Sequence, residues 1–407
     1  MAAQGYASAP ADSRYDVVII GGAIMGASTA WFLTENPDFD GSILVIERDP
    51  SYAKCATTLS NSCIRQQFAE ELNIRVSQFA ADYITHLQDR MGGDPRVPDI
   101  RIHNFGYFYL AETEAQADIL RRNHAVQRAM GTETELLDRD EIARRFPFYD
   151  LDGVLLGSIN TKDEGYWDGG TVFEWWRRKS RDRGVEYVAN EAVAMSLNAA
   201  GTRVESVTLA SGEVIACGQV VNASGPRAGR TAAMAGIALP VEPRKRYSWV
   251  FTAERPLDQV LPLTIDPSGV HFRQDGPQTY LAGSKGDPDT PPDFDDFTMD
   301  HGLWENHVWP TLATRVRQFE AIRVVNEWAG HYDYNHFDQN AIHGAHPDVE
   351  NFFFINGFSG RGLQQSPAMG RGMAELMTHG EYRSLDLSPF SYDRILSNTP
   401  FVEQAVI

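Results

Sequence analysis

The chain has 407 residues, which suggests two or three folding units at about 150 residues each. Its 36 basic and 55 acidic side chains leave a net charge of −19, which argues against a nucleic-acid binder or a surface for anionic membranes. Cys55, Cys63 and Cys217 show no CxxC spacing, so neither a disulfide framework nor a zinc site is implied. Residues 1–15 lack a basic stretch followed by an apolar one, so a polar leader on a cytoplasmic protein is expected.

Residues 15–47 predict a strand, a glycine turn, a helix and a second strand ending in an acid. Residues 17–20 are a β-branched run too short for a helix, and Gly21 and Gly22 supply a tight turn into a helix beginning near Met25. Gly26 lets that helix lie close to the strand, and its N-terminus offers free N–H groups and the positive dipole end to a pyrophosphate. Ala23 stands where the second glycine of the dinucleotide fingerprint is usual. Glu47 follows at the distance of a ribose-binding acid, which favours a free 2′-hydroxyl and therefore FAD or NAD over NADP. The apolar stretch 17–33 is shorter than a membrane span and holds three glycines, so no integral membrane segment is expected.

Further along, a loop at 53–62 precedes an apolar-faced helix at 69–88, which glycines and prolines at 92–98 end. A strand pair at 101–111, helices at 114–130 and 170–183 and a strand at 185–189 follow. A strand at 218–222 ends in Ala223-Ser224-Gly225, suited to a second backbone approach to the cofactor. Residues 247–284 alternate strand-like runs with turns, as in an antiparallel sheet, and 283–296 read as a surface loop. A helix at 309–319 leads to a last strand, glycine loop and helix at 352–378.

These motifs resemble the D-amino-acid oxidase / sarcosine oxidase superfamily of FAD-dependent amine oxidoreductases. The resemblance covers nearly the whole chain: YDVVIIGGAIMGAS…ILVIER, TTLSNSCIRQQF, VVNASGPRAG, IDPSGVHFR, WAGHYD and, most specifically, NGFSGRGLQQSPAMGRGMAEL. It is nearest the sarcosine, glycine and iminodiacetate oxidase branch. It implies an α/β fold with an added antiparallel sheet, in which a Rossmann-like FAD domain (1–90, 151–227, 331–407) interleaves with a substrate domain (91–150, 228–330).

By that resemblance Gly21, Ala23, Ile24, Met25 and Gly26 approach the pyrophosphate, and Glu47 with Arg48 meets the adenosine ribose. Thr57, Thr58, Ser60, Asn61 and Ser62 line the phosphate and flavin, Val193 meets the adenine, and Ala223, Ser224 and Gly225 the phosphates. Gly357, Phe358, Ser359, Gly360, Arg361, Gly362, Leu363 and Gln364 lie along the pyrimidine side of the ring, where Arg361 and backbone N–H groups favour negative charge. Gly330 stands where a flavin-linking cysteine would be, so the FAD is expected to be non-covalent.

The resemblance further implies that Arg65 binds the substrate carboxylate with Tyr332 beside it. Gln364 replaces the family's second carboxylate ligand, a lysine, and Leu281 its oxygen-activating lysine, with Lys285 four residues later. His271 and Arg273 share one strand face and, with Arg65 and Lys285, suggest a pocket for an anion; a solvated sheet face is the alternative.

The implied reaction oxidises the C–N bond of an amino acid or N-substituted amino acid, secondary or dicarboxylic, by hydride transfer to flavin N5, giving an imine that hydrolyses. Oxygen is the expected acceptor. The alternatives are a dehydrogenase serving a quinone or protein acceptor, and a non-catalytic flavoprotein assembly factor. His331, His336, His343 and His346 match no tight metal-ligand spacing, and no metal is expected.

Overall fold

The computed structural model describes residues 5–404. Five parallel strands run in the spatial order Phe352–Asn356, Val214–Asn222, Arg14–Ile20, Ile43–Glu47 and Glu186–Ala189. Antiparallel Ile342–Ala345 closes one edge, and Ala192–Leu197 with Val204–Leu209 forms a meander leading into Val214–Asn222. The helix Ile24–Glu35 is buried almost all round, as its largely apolar sequence requires, with the hydroxyls of Ser28 and Thr29 satisfied by the Met25 carbonyl. It packs against the helices Gly169–Asp182 and Gly362–His379. In this layer the Tyr83 hydroxyl accepts from the indoles of Trp31 and Trp176 at 2.9 and 3.0 Å.

A second sheet runs Ile322–Asn335, Val241–Ala253, Thr279–Lys285, His271–Gln274, Leu263–Ile265, Tyr107–Ala111, Leu156–Asn160 and Glu135–Asp138. All pairs are antiparallel except Leu263–Ile265 with Tyr107–Ala111. Trp249, Phe251, Phe272, Tyr280 and Phe319 form its core. Strand alternation sends Arg246, Ser248 and His271 to the face opposite Trp249, Phe251 and Phe272.

Several elements differ from the expected ones. Only Tyr107–Ala111 of the 101–111 pair is a strand, with His103 making an isolated bridge to Tyr166. The helix expected over 309–319 stops at Arg315 and yields to a 3₁₀ turn, Arg317–Glu320. The last helix begins at Gly362, before Pro367. Proline removes the N–H that would reach the Leu363 carbonyl, and the Ser366 hydroxyl donates there instead at 2.9 Å. Leu156–Asn160 joins the second sheet although it lies within 151–227, and Ile322–Asn335 runs across the expected boundary at 330. Among the described residues, no helix is long and apolar enough to cross a membrane.

Candidate cofactor and substrate site

A cleft of about 620 Å³ opens at the carboxyl end of Arg14–Ile20, where the connections leave the sheet in opposite directions. Gly21 takes φ +100°, and a Cβ there would stand 2.4 Å from the Ala223 carbonyl oxygen. At Gly26 a Cβ would lie 1.9 Å from the Gly21 oxygen, so the turn and the helix touch through backbone. Apart from Thr57 Oγ1, which accepts the Ile24 N–H at 3.2 Å, no side chain among the described residues caps the start of the helix Ile24–Glu35. The helix Gly362–His379 starts uncapped too, with Arg361 at its N-cap. Two helix N-termini thus open on one cleft, an arrangement made for anionic or electron-rich groups.

Glu47 lies at one end, 7% exposed, with its two oxygens accepting the N–H groups of Gly22 and Asp49, both at 2.8 Å. Burial pushes its carboxyl up to about 7 against these bonds. Because the folded value is raised, this group's stabilisation of the cofactor-free protein is present below about 4.5 and lost as the pH rises through about 7. Ribose hydroxyls donating to the ionised carboxylate would reverse the preference, so FAD affinity is expected to rise between pH 5.5 and 8. Glu47→Gln should weaken FAD by about 1–3 kcal/mol, roughly 5- to 150-fold in Kd, and flatten that pH dependence. Flavin fluorescence titrations at the two pH values check both; an unchanged Kd would misplace the ribose site.

Ala23, Ile24, Met25, Arg48, Thr57, Ser60, Asn61, Ser62, Ala223, Ser224, Gly225 and Gly330 line the cleft, as do Phe358 to Gln364. Thr58 instead faces a smaller adjoining cavity, and Gly26 and Gly357 frame the cleft without lining it. Val193 is displaced from its expected role as a lining residue. Its side chain is 48% exposed, because strand alternation turns Ala192 toward the cleft and Val193 away.

Arg65 is buried, its guanidinium 4.4 Å from the Phe68 ring centroid and bonded to the Gln67 carbonyl at 3.1 Å and to the Tyr109 hydroxyl. Gln364 Oε1 accepts the Arg65 N–H at 2.8 Å, so this glutamine positions the arginine rather than standing idle beside it. Tyr332 is held between Gly360, where a Cβ would lie 2.3 Å from its ring, and Arg246, whose guanidinium sits 4.8 Å from the ring centroid. Arg361 is only 4% exposed; its Nη2 bonds the Gln339 carbonyl and Asn340, while its Nε and Nη1 have no partner among the described residues. Burial lowers it to about 10, which leaves it charged at neutral pH. An acceptor in the cleft would satisfy those two N–H groups, so the site suits a bound ring carbonyl.

Two members of the expected anion pocket lie elsewhere. Arg273 pairs with Asp275 at 3.0 Å and reaches the Asn61 carbonyl at 3.3 Å, so it braces the 57–62 loop from outside the main cleft. Lys285 ends its strand exposed, on a separate cavity. His271 does line the cleft, but burial, then Arg273 and Arg246, lower it to about 4, so it is neutral at pH 7 and adds no charge. Of the four histidines weighed as metal ligands, three are engaged: His343 bonds Met369 O and Tyr382, and His331 bonds Asp296 O and stacks on Phe297. His346 Nδ1 accepts the N–H groups of Asp348 and Val349. Among the described residues no three histidines, cysteines or acids converge as a metal site would require.

The structure adds residues that sequence reading missed. Tyr107 and Tyr109 share a strand face by period-two spacing, a signal available in YFYLA. Glu164, fully buried, accepts from Gln66 N at 2.6 Å and from the side chains of Gln67 and Asn160, both at 2.9 Å. It anchors the segment that carries Arg65, and burial raises it to about 7. No local pattern marks it, because Gln66 and Gln67 lie 98 and 97 residues away and only Asn160 is near it in sequence.

The family described as FAD dependent oxidoreductase (DAO) matches residues 16–376. A protein named FAD-dependent oxidoreductase domain-containing protein 1, from Xenopus laevis, is 37% identical over 426 residues, which cover 97% of this chain and 85% of that protein. Among solved structures, L-proline dehydrogenase from P. horikoshii superposes with a TM-score of 0.80 at 22% identity, covering 95% of this chain and 99% of that one. Iminodiacetate oxidase from Chelativorans sp. BNC1 does so with a TM-score of 0.73 at 19% identity, covering 92% and 98%. With two open helix termini, the buried acid Glu47 and the buried Arg361 on one cleft, and with a family model matching most of its length, this chain belongs to the DAO family of FAD-dependent oxidoreductases.

Proposed function

We propose that the protein oxidises the C–N bond of an amino acid or N-substituted amino acid, secondary and dicarboxylic substrates included, with oxygen as acceptor. The observation that carries this reading is Arg65, a buried guanidinium seated on aromatic rings at the same cleft as the uncapped helix Gly362–His379. FAD, when bound, supplies the two-electron acceptor for a hydride from the carbon beside nitrogen. The protein's part is alignment. Arg65 takes the substrate carboxylate, Gln364 and Glu164 hold the Arg65 backbone and its neighbours, and Tyr332 packs beside them. Neutral His271 is bonded at 3.3 Å to Asn61, which accepts from Ser248 at 3.2 Å, and offers hydrogen bonding without charge. In this reading 1–90, 151–227 and 331–407 serve the cofactor, and 91–150 and 228–330 the substrate. Anaerobic mixing of the FAD-loaded protein with a panel of amino acids should bleach the flavin; no bleaching with any amine would favour a non-catalytic assembly role.

A quinone or protein acceptor is the second reading, supported by Leu281. This side chain is 2% exposed and apolar where the family pattern has a lysine, and Lys285 faces away from the main cleft. Reoxidation of the reduced protein by air, compared with a quinone dye, separates the two.

The FAD is expected to be non-covalent. Cys55 and Cys63 do line the cleft, but burial raises both thiols, and the Cys63 Sγ donates to the Asn61 carbonyl at 3.3 Å, so little thiolate is present to form a link. Acid denaturation and filtration should release all yellow colour; flavin that stays with the chain would contradict this.

A further inference from the structure

Arg246, His271 and Tyr332, which line the main cleft, also line a second, adjoining cavity of about 340 Å³. One wall is a face of the helix Glu114–Ala129, where Gln116, Leu120, Asn123 and Gln127 recur at helical spacing. Asn123 is 8% exposed and its amide bonds to none of the described residues. Gln127, 3% exposed, gives its Nε2 to the Phe68 carbonyl at 3.1 Å, and its acceptor Oε1 has no partner among the described residues. Asn123 thus offers an open donor and acceptor at this wall, and the buried Gln127 oxygen is an acceptor that a donor could satisfy.

The charge of the cavity is one-sided. Asp266 is taken by Arg315 at 2.8 Å, and Arg246 by Asp289 at 2.9 Å, whereas Lys285 has no ion pair among the described residues. The unpaired charge is therefore positive and carried by Lys285, and the Asn123 amide adds an open N–H donor beside it. A cavity of about 340 Å³ is also far more room than a methyl group needs.

We propose that this second chamber receives the far end of the substrate, a carboxylate carried several bonds from the reacting nitrogen, with Lys285 and Asn123 as its binding groups. The proposal rests on the amino-acid reading of the main cleft and extends it: the substrate is a long dicarboxylic amine, longer than iminodiacetate. Arg65 would hold the near carboxylate and Lys285 the far one, with the C–N bond between them. A site built for two carboxylates rejects the analogue lacking one, because a group of the site is then left unpaired.

The test uses the full FAD-loaded chain and a series of N-substituted glycines: N-methyl, N-carboxymethyl, N-(3-carboxypropyl), N-(5-carboxypentyl) and neutral N-hexyl. Anaerobic flavin reduction should be fastest with one of the two longest acids, by at least about tenfold over the N-methyl compound. Lys285→Ala and Asn123→Leu should each lower that ratio by about tenfold. Lys285 is exposed, so its variant tests the idea even if Asn123→Leu fails to fold. Calorimetry with the non-oxidisable thioether analogue of the longest acid gives a readout free of turnover, and its Kd should rise about tenfold in Lys285→Ala. Equal rates along the series, equal rates for N-hexyl and N-(5-carboxypentyl), or a ratio indifferent to both substitutions would overturn the chamber while leaving amine oxidation standing. Thioether binding that depends on Lys285, without flavin reduction by any amine, would keep the chamber and remove the oxidation reading. Neither binding nor reduction would remove both.

Discussion

Arg65→Lys is expected to lower kcat/KM for the best amino-acid substrate by roughly 100-fold, about 2.7 kcal/mol, with FAD still bound. The guanidinium is oriented by three independent constraints: the Phe68 ring beneath it, the Gln67 carbonyl and the Tyr109 hydroxyl. Its backbone is fixed by Gln364. A lysine ammonium keeps the charge, but it cannot match a planar carboxylate with two parallel N–H bonds, nor lie flat on an aromatic ring. The loss should therefore appear mainly in KM, with the flavin spectrum and the FAD Kd nearly unchanged. Steady-state kinetics together with flavin content measure it. A variant equal to wild type would take the substrate carboxylate away from Arg65.

Gly26→Ala should be the more destructive change. Its new Cβ would stand 1.9 Å from the Gly21 carbonyl oxygen, a backbone atom that no rotamer can move aside. The helix Ile24–Glu35 would have to shift away from the turn, at a cost on the order of 3 kcal/mol or more from overpacking. That shift would withdraw its N-terminal amides from the cleft. The variant should be purified colourless or nearly so, with a lowered Tm that added FAD does not restore; a yellow protein of normal Tm would show that the turn tolerates a side chain.

What could be read from the chain was the part in which sequence neighbours are also spatial neighbours. The strand, turn, helix and acid of residues 15–47 interact within one short segment: Glu47 bonds Gly22, and Gly26 meets Gly21. The strand Phe352–Asn356 and its glycine loop were legible for the same reason. The strand Ile322–Asn335 was largely missed, because half of its residues are polar or charged and only its pairing with Val241–Ala253 makes it a strand.

Side-chain fate was decided at longer range. Period-two alternation correctly placed His271 and Arg273 on one face, yet only His271 reaches the cleft, since Asp275 and the Asn61 carbonyl draw Arg273 to the outside of the loop. The charge of His271 could not be read either, because burial is a property of the packed fold and it is burial that lowers the imidazole to about 4.

The sequence by itself determined the nucleotide-binding unit, the family and the candidate arginine, all of which rest on residue identity and short spacing. Tertiary structure alone decided which of the candidate cations face the cleft, that Gln364 and Glu164 hold Arg65 in place, and that a second chamber adjoins the first. These depend on contacts such as Arg65 with Gln364, 299 residues apart. No periodicity within one element encodes such a pair; it exists only once the segment after Cys63–Ile64 has been folded against the start of the helix Gly362–His379.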